Sequence, residues 1–272
     1  MTANASQKAV ETKEQYSLAQ ILGIWALAAL PMAILGWVVY PALVPDLETN
    51  PVGAGVTRMN VITVGLIWQF VLAMIIVRRE EGDLRWATIR RRLRLNTTRD
   101  PKTGEPRGRL WLWLVILVIG VLLKDIISSS GLINFWVSIF PFFEAPPGYE
   151  AGAILGSAEV QAQLVGAWWF LGLFVVNAVF NTILGEEFLF RGVLLPKMEG
   201  VFGKWDWVAN GVLFGLYHLH QPWGMLRTII GGSLLWSLPA KHFKSTWIAI
   251  AVHSVQSVYI IFLVLGIVLG LA

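Results

Sequence analysis

The stretch Gly185-Glu186-Glu187-Phe188-Leu189-Phe190-Arg191-Gly192 decides how the chain is read. It sets two adjacent carboxylates and an arginine inside an otherwise apolar run from Leu164 to Pro196. A charge in a membrane-like segment is costly and is seldom kept without a task. Glu187 and Arg191 are four apart, so on a helix they share a face and can pair. Glu186 lies about 100° round the same helix and is not tied to that arginine. One carboxylate can therefore be held ionised while its neighbour is left for proton chemistry.

Working outward, the whole chain has the composition of a membrane protein. Of its 272 residues 56% are hydrophobic and 14% charged, with mean hydropathy +0.64. That is too little charge for a soluble domain and predicts an all-α, polytopic membrane helical bundle. There is no cysteine, which excludes disulfides and thiolate catalysis. Fourteen tryptophans suit aromatic belts at two interfaces.

The formal charge of +4 is unevenly spread. Eleven of the 21 Lys and Arg residues lie between Arg78 and Arg109. Segments 41–57 and 128–163 hold none, but carry Asp46, Glu48, Glu144, Glu150 and Glu159. The positive-inside rule then predicts a multi-pass protein of the plasma membrane, with 78–109 a basic cytosolic loop and the N-terminus and the charged motif on that side. Ala26-Leu27-Ala28 looks like a cleavage site, but the apolar run continues to Tyr40, too long for a signal peptide, so an uncleaved first helix is expected.

About seven transmembrane helices are expected, with one or two interfacial helices. Residues 1–16 read as a polar cytosolic tail and 17–272 as a single transmembrane domain, with the catalytic core at 164–272. The crossings are expected at about 17–40 (kinked at Pro31), 59–77, 109–127, 162–184 continuing into the motif, 206–219, 224–238 and 246–271. Leu84–Leu95 reads as a short basic amphipathic helix on anionic lipid, and nucleic acid is not expected as a partner. Asp100-Pro101-Lys102-Thr103-Gly104 reads as a turn. Residues 132–143 are apolar but too short to span, and 144–160 form an acidic outer loop. If the fourth crossing starts at Leu164, Glu186 lies roughly 33 Å along it, near the cytosolic boundary.

Three helices carry polar groups that can converge. One gives Glu186, Glu187 and Arg191. The next gives His218, with Phe214 four residues earlier. The last gives His253, with Gln256 and Ser257 three and four residues on. Gly185 and Gly192 would let neighbours approach closely. Carboxylate, histidine and amide are the parts needed to activate water and stabilise an oxyanion. A neutral histidine can donate to the developing negative charge. Asn177 and Asn181 read as interhelical hydrogen-bonding residues rather than catalytic ones, and His220 as interfacial.

The ordered set Glu186-Glu187-x-x-x-Arg191, Phe214-x-x-x-His218 and His253 resembles the CPBP (Abi) family of intramembrane proteases, which includes the CAAX prenyl endopeptidases. The resemblance implies a glutamate-dependent, metal- and cofactor-independent endopeptidase. Its substrate would be a membrane-associated peptide or protein, prenylated or not, reached through a cavity open to the cytosol. By carry-over Glu186 and His218 would activate water, Arg191 would hold Glu187, and His253 would stabilise the oxyanion. Phe214, Gln256 and Ser257 would support them. The family places Asn or Asp where this chain has Ser257, with Gln256 just before it, so the oxyanion site departs from the pattern. Two other readings stay open on the residues: a non-catalytic binding protein of the same fold, and a zinc protease using His218, His253 and a glutamate. An ion-coupled transporter is disfavoured, because no paired broken helices recur in two similar halves.

Overall fold

The computed structural model describes residues 14–44, 50–128, 131–147, 149 and 155–271, with only the backbone at 125–128. Residues 1–13 of the expected tail, with Asp46, Glu48 and Glu150, lie outside the described residues. No strand occurs among the described residues, and the architecture is a helical bundle.

Ten principal helices follow in chain order among the described residues. They are α1 (Leu18–Leu43), α2 (Pro51–Glu81), α3 (Trp86–Arg92), α4 (Trp113–Ser128) and α5 (Gly131–Ile139). Then come α6 (Ala158–Leu164), α7 (Trp168–Lys197), α8 (Asp206–Tyr217), α9 (225–242) and α10 (Thr246–Val268). Their ends follow from local chemistry. Ser17 and Gln20 close a capping box on α1, with Ser17 N donating to Gln20 Oε1 at 2.8 Å and Gln20 N to Ser17 Oγ at 3.2 Å. Asn50 Oδ1 accepts from Gly53 N at 2.8 Å, with Pro51 in the first turn of α2. Gly82, at φ +83°, ends α2 in the left-handed conformation. The expected turn at 100–104 forms, with Asp100 Oδ1 accepting from Lys102 N at 2.9 Å.

Among the described residues four helices are long and apolar enough to cross a membrane: α1, α2, α7 and α10. The chain is thus a multi-pass membrane protein, and among the described residues these four, not seven, have the length for a crossing. Helix α4 has 16 residues and α8 has 12. A run of apolar residues predicts a helix, but not whether it is long enough to pass through the bilayer unaided. Exposed leucines and valines along α1 present the apolar surface a lipid environment requires. Exposed tryptophans mark the two ends of the bundle: Trp86, Trp113 and Trp205 at one, Trp168 and Trp169 at the other.

The charge rule assigned several chain segments to one face, and those segments meet. Tyr16 N donates to Lys197 O at 3.0 Å, Thr246 N to Arg94 O at 3.0 Å, and Asn96 Nδ2 to Lys244 O at 3.0 Å. Residues 15 and 16 are consequently docked, contrary to the expected polar tail. The Tyr16 ring is buried, its hydroxyl donates to Glu80, and the Lys197 ammonium lies 4.8 Å from its centre.

Helix α3 is short, with Leu84 and Trp86 exposed as an interfacial helix requires. Its last arginine is not a lipid contact, however. Arg92 is buried, pairs with Glu80 at 2.5 Å, and donates to Gly192 O at 3.0 Å and Val193 O at 3.2 Å. The basic segment is therefore anchored to the motif helix. A Cβ at Gly192 would stand 3.0 Å from the Leu93 side chain, and one at Gly185 would stand 2.8 Å from Leu66 O of α2. Both glycines thus serve the close approach that their spacing predicts.

Candidate active site

Helix α7 is not wound uniformly. It is α-helical over Trp168–Val179, then π-helical over Phe180–Gly185 and again over Phe188–Leu194, with Glu186 and Glu187 between the two π segments. Such π turns are rare and concentrate at functional sites. Because α7 runs on to Lys197, Glu186 lies inside the span, about 16 Å from its end, rather than at the boundary. The helix begins later and continues further than the apolar run alone indicates.

Helix α8 brings in His218. Asn210 ties α8 to α7 and α9: its Nδ2 donates to Phe190 O at 2.9 Å, and its Oδ1 accepts from Ser237 Oγ at 2.8 Å. The Lys241 ammonium at the end of α9 pairs with Asp206 at the start of α8. Helix α8 stops at Tyr217, and indole N–H groups from α1 satisfy carbonyls near that end. Trp25 Nε1 donates to Leu213 O at 2.8 Å and Trp37 Nε1 to Leu219 O at 2.7 Å. Starting α8 near the basic end and stopping it at Tyr217 brings His218 to the same level as His253.

Five predicted residues converge: Glu186, Glu187, Arg191, His218 and His253, all buried. Arg191 Nη1 donates to Glu187 Oε1 at 3.0 Å, and His253 Nδ1 lies 2.9 Å from the same oxygen. A carboxylate beside a guanidinium accepts, so Nδ1 of His253 carries the proton. His218 Nδ1 is 2.8 Å from Phe214 O, and a carbonyl can only accept, so this Nδ1 is also the donor. Both rings therefore turn Nε2 toward Glu186, at 3.8 Å for His218 and 3.9 Å for His253. Those gaps are too long for direct hydrogen bonds and suit a small intervening molecule.

This fixes a point that sequence left differently. A neutral His253 with its proton on Nδ1 has a bare Nε2 and cannot donate to an oxyanion. It can donate there only as the imidazolium, which Glu187 is placed to stabilise.

Phe214 is the packing centre of the site. Its ring lies 5.0 Å from that of His218 and 6.0 Å from that of His253, and the Arg191 guanidinium sits over it at 4.1 Å. Arg191 also donates to Gly232 O at 3.3 Å.

Sequence reasoning missed several contributors. Trp236 stacks on His253, with centroids 4.2 Å apart and planes 26° from parallel. Tyr217 accepts from Gln69 Nε2 at 2.7 Å, which leaves its own proton for the neighbouring Glu186. Asn181, expected to link helices, instead faces Glu186. The amide orientation that satisfies both groups sets its nitrogen 3.0 and 3.3 Å from the two carboxylate oxygens. Asn177 does link helices, its Nδ2 donating to Thr63 Oγ1 of α2 at 2.8 Å. His220 is buried rather than interfacial, and stacks on His218 at 5.5 Å.

A cavity of about 340 Å³ opens onto these groups. Glu186, His218, His253, Asn181 and Gln256 line it, whereas Ser257 does not. It extends along the first half of α2, from Leu66 back to Val52, and reaches Leu155 and Leu164. That is the end of the bundle remote from the basic segment. The resemblance implies a cavity open to the cytosol, and this cavity extends away from the basic segment that the charge rule assigns to that side. There, buried Leu93, Leu95, Val193, Leu194 and Met198 close the bundle. Among the described residues, no three His, Asp or Glu side chains are grouped to hold a metal ion.

Residues 166–259 match the family described as type II CAAX prenyl endopeptidase, Rce1-like. The match contains every motif position from Glu186 to Ser257 and agrees with the family resemblance read from their order. Neither the curated proteins nor the solved structures gave a match.

Proposed function

We propose that the chain is an intramembrane endopeptidase that hydrolyses a peptide bond of a membrane-associated substrate by Glu186-directed attack of water. One observation carries the reading: two imidazoles, each with Nδ1 held by an acceptor, present Nε2 to one buried carboxylate across a gap the size of a water molecule.

The roles follow from the proton positions. A water between Glu186 and His218 can donate to the carboxylate and to the bare Nε2 of His218, and so gains nucleophilicity as it nears a carbonyl. The oxygen of the tetrahedral intermediate needs donors. His253 as an imidazolium, stabilised by Glu187, supplies one. Asn181 and Gln256, both on the cavity wall, are the amides nearest in kind to the family's residue at position 257. Glu186 then passes its acquired proton to the leaving amine. Glu187 and Arg191 act through His253 and the helix and do not touch substrate.

In this reading the basic segment faces the cytosol, and anionic headgroups meet the exposed Arg85, Arg90 and Trp86. The test compares peptide termini in membranes of cells expressing wild type or Glu186→Gln at matched levels. Termini seen only with wild type, and persisting in a chelator, are expected. Identical termini in the two membranes would overturn the proposal. Termini lost to the chelator and restored by zinc would instead establish the zinc protease.

A further inference from the structure

The cavity wall holds two arginines with no carboxylate partner among the described residues. Arg58 enters from α2 and Arg227 from α9, and both line the space that Glu186 lines. Glu186 is the only acid on that wall among the described residues. Arg227 is half-buried and makes no ion pair or hydrogen bond with a described residue. Arg58 is half-buried inside the α2 span. Its guanidinium rests 5.3 Å from the Tyr149 ring centre and 5.9 Å from that of Trp223. One Nη2 donates to His220 O at 3.4 Å, while buried Nε has no partner.

This is an unusual expenditure of charge. A guanidinium within an apolar span is costly, and burying one without its counter-charge is costlier still. Arg58 is held by aromatic faces and one weak carbonyl contact, which fix its plane while leaving donors unspent. The planar fork of a guanidinium matches the two oxygens of a carboxylate. Two such forks on one cavity wall, with a single acid at the reacting centre, describe a receptor for an anionic group on the molecule that fills the cavity.

We infer that Arg58 and Arg227 form a subsite that binds a free carboxylate of the peptide held against Glu186, which makes them specificity-determining residues. The inference rests on the peptidase reading for its choice of ligand. A lipid phosphate has the same charge, but the subsite shares its chamber with the hydrolytic groups, and the occupant of that chamber is what they act on. The carboxylate comes either from the chain's own C-terminus or from an Asp or Glu side chain.

Binding, measured apart from hydrolysis, separates this inference from the function it refines. Glu186→Gln protein in phosphatidylcholine nanodiscs is titrated with a fluorophore-labelled apolar decapeptide in four forms. These are the free acid, the C-terminal amide, and the amide bearing one internal Glu or one internal Gln. We expect a carboxylate form to bind about tenfold or more tighter than its neutral counterpart, the loss expected for one charge-assisted interaction. A gap between acid and amide assigns the C-terminus, and a gap between Glu and Gln assigns a side chain. The preference should vanish in Arg227→Gln and survive in part in Arg227→Lys. Arg227 makes no ion pair or hydrogen bond with a described residue, so its variants are expected to fold even if Arg58→Gln loosens Tyr149 and Trp223.

Equal binding of all four peptides would overturn the inference, as would a preference untouched by Arg227→Gln. So would loss of the preference when phosphatidylglycerol is added, since that would assign the arginines to lipid. Failure of wild type to cleave any peptide would instead strike the hydrolytic reading and leave the binding result standing.

Discussion

His253 donates a hydrogen bond from Nδ1 to Glu187, at 2.9 Å, while its opposite nitrogen faces the neighbouring residue in the chain, Glu186, at 3.9 Å. Adjacent carboxylates on one helix thus meet opposite edges of one ring. In the proposed mechanism Glu187, already shared with Arg191, orients the ring, and Glu186 is the reacting group.

Glu187→Ala removes the counter-charge of a fully buried Arg191. Breaking a buried pair costs about 3–5 kcal/mol, so the variant should unfold at markedly lower temperature. Glu187→Gln keeps the volume and one hydrogen bond. It should lose less stability but still lose peptidase rate, by about 100-fold, because the imidazolium is no longer stabilised. Thermal melts and cleavage rates on both variants check this, and equal rates in wild type and Glu187→Gln would sink it.

Asn181 and Asn177 should separate cleanly. Asn181→Leu removes the amide beside Glu186 and is expected to cut turnover about tenfold or more, with little change in melting temperature. Asn177→Leu breaks the link to Thr63 and should lower stability by about 1 kcal/mol without slowing the chemical step. The opposite assignment of effects would show that Asn181 is merely structural.

Gln256→Ala should slow cleavage, whereas Ser257→Ala should not, since only Gln256 reaches the cavity wall. Rates measured side by side at saturating substrate decide between them. A larger loss at Ser257 would restore that position to the site.

Gly185→Ala would drive a methyl group to 2.4 Å from Phe180 O of its own helix and 2.8 Å from Leu66 O of α2. Both are rigid backbone neighbours, so the π turn must rewind and the helices part, at a cost of about 1–3 kcal/mol. A melting temperature equal to wild type would contradict the packing described.

Much of the site was legible because its chemistry is expensive. Glu186, Glu187, Arg191, His218 and His253 stand out against apolar surroundings, and the four-residue spacing of Glu187 and Arg191 survives into the structure as a 3.0 Å contact. Asn181 was not legible. Five residues from Glu186, it would lie about 140° away on a regular α-helix. The π turn over Phe180–Gly185 brings it round to the same side, and no residue in that segment announces such a winding. Helix α8 misled for another reason: its apolar length looked like a crossing, while the bundle uses a short helix to deliver His218. The basic segment misled as well, because Arg92 reads as a surface charge but caps carbonyls of α7. Sequence reports that a side chain is charged and leaves open whether lipid or backbone will receive it.

The packed floor formed by Leu93, Val193, Leu194 and Met198 makes the chamber a cul-de-sac. A polypeptide cannot be threaded past Glu186 and out the other side. On the proposed peptidase reading, a substrate comes in as an end or a bent loop, is cut, and leaves its shorter piece behind it in a blind pocket. Turnover then depends on how fast that fragment backs out, so the rate-setting event for this protein can be an exit rather than a bond.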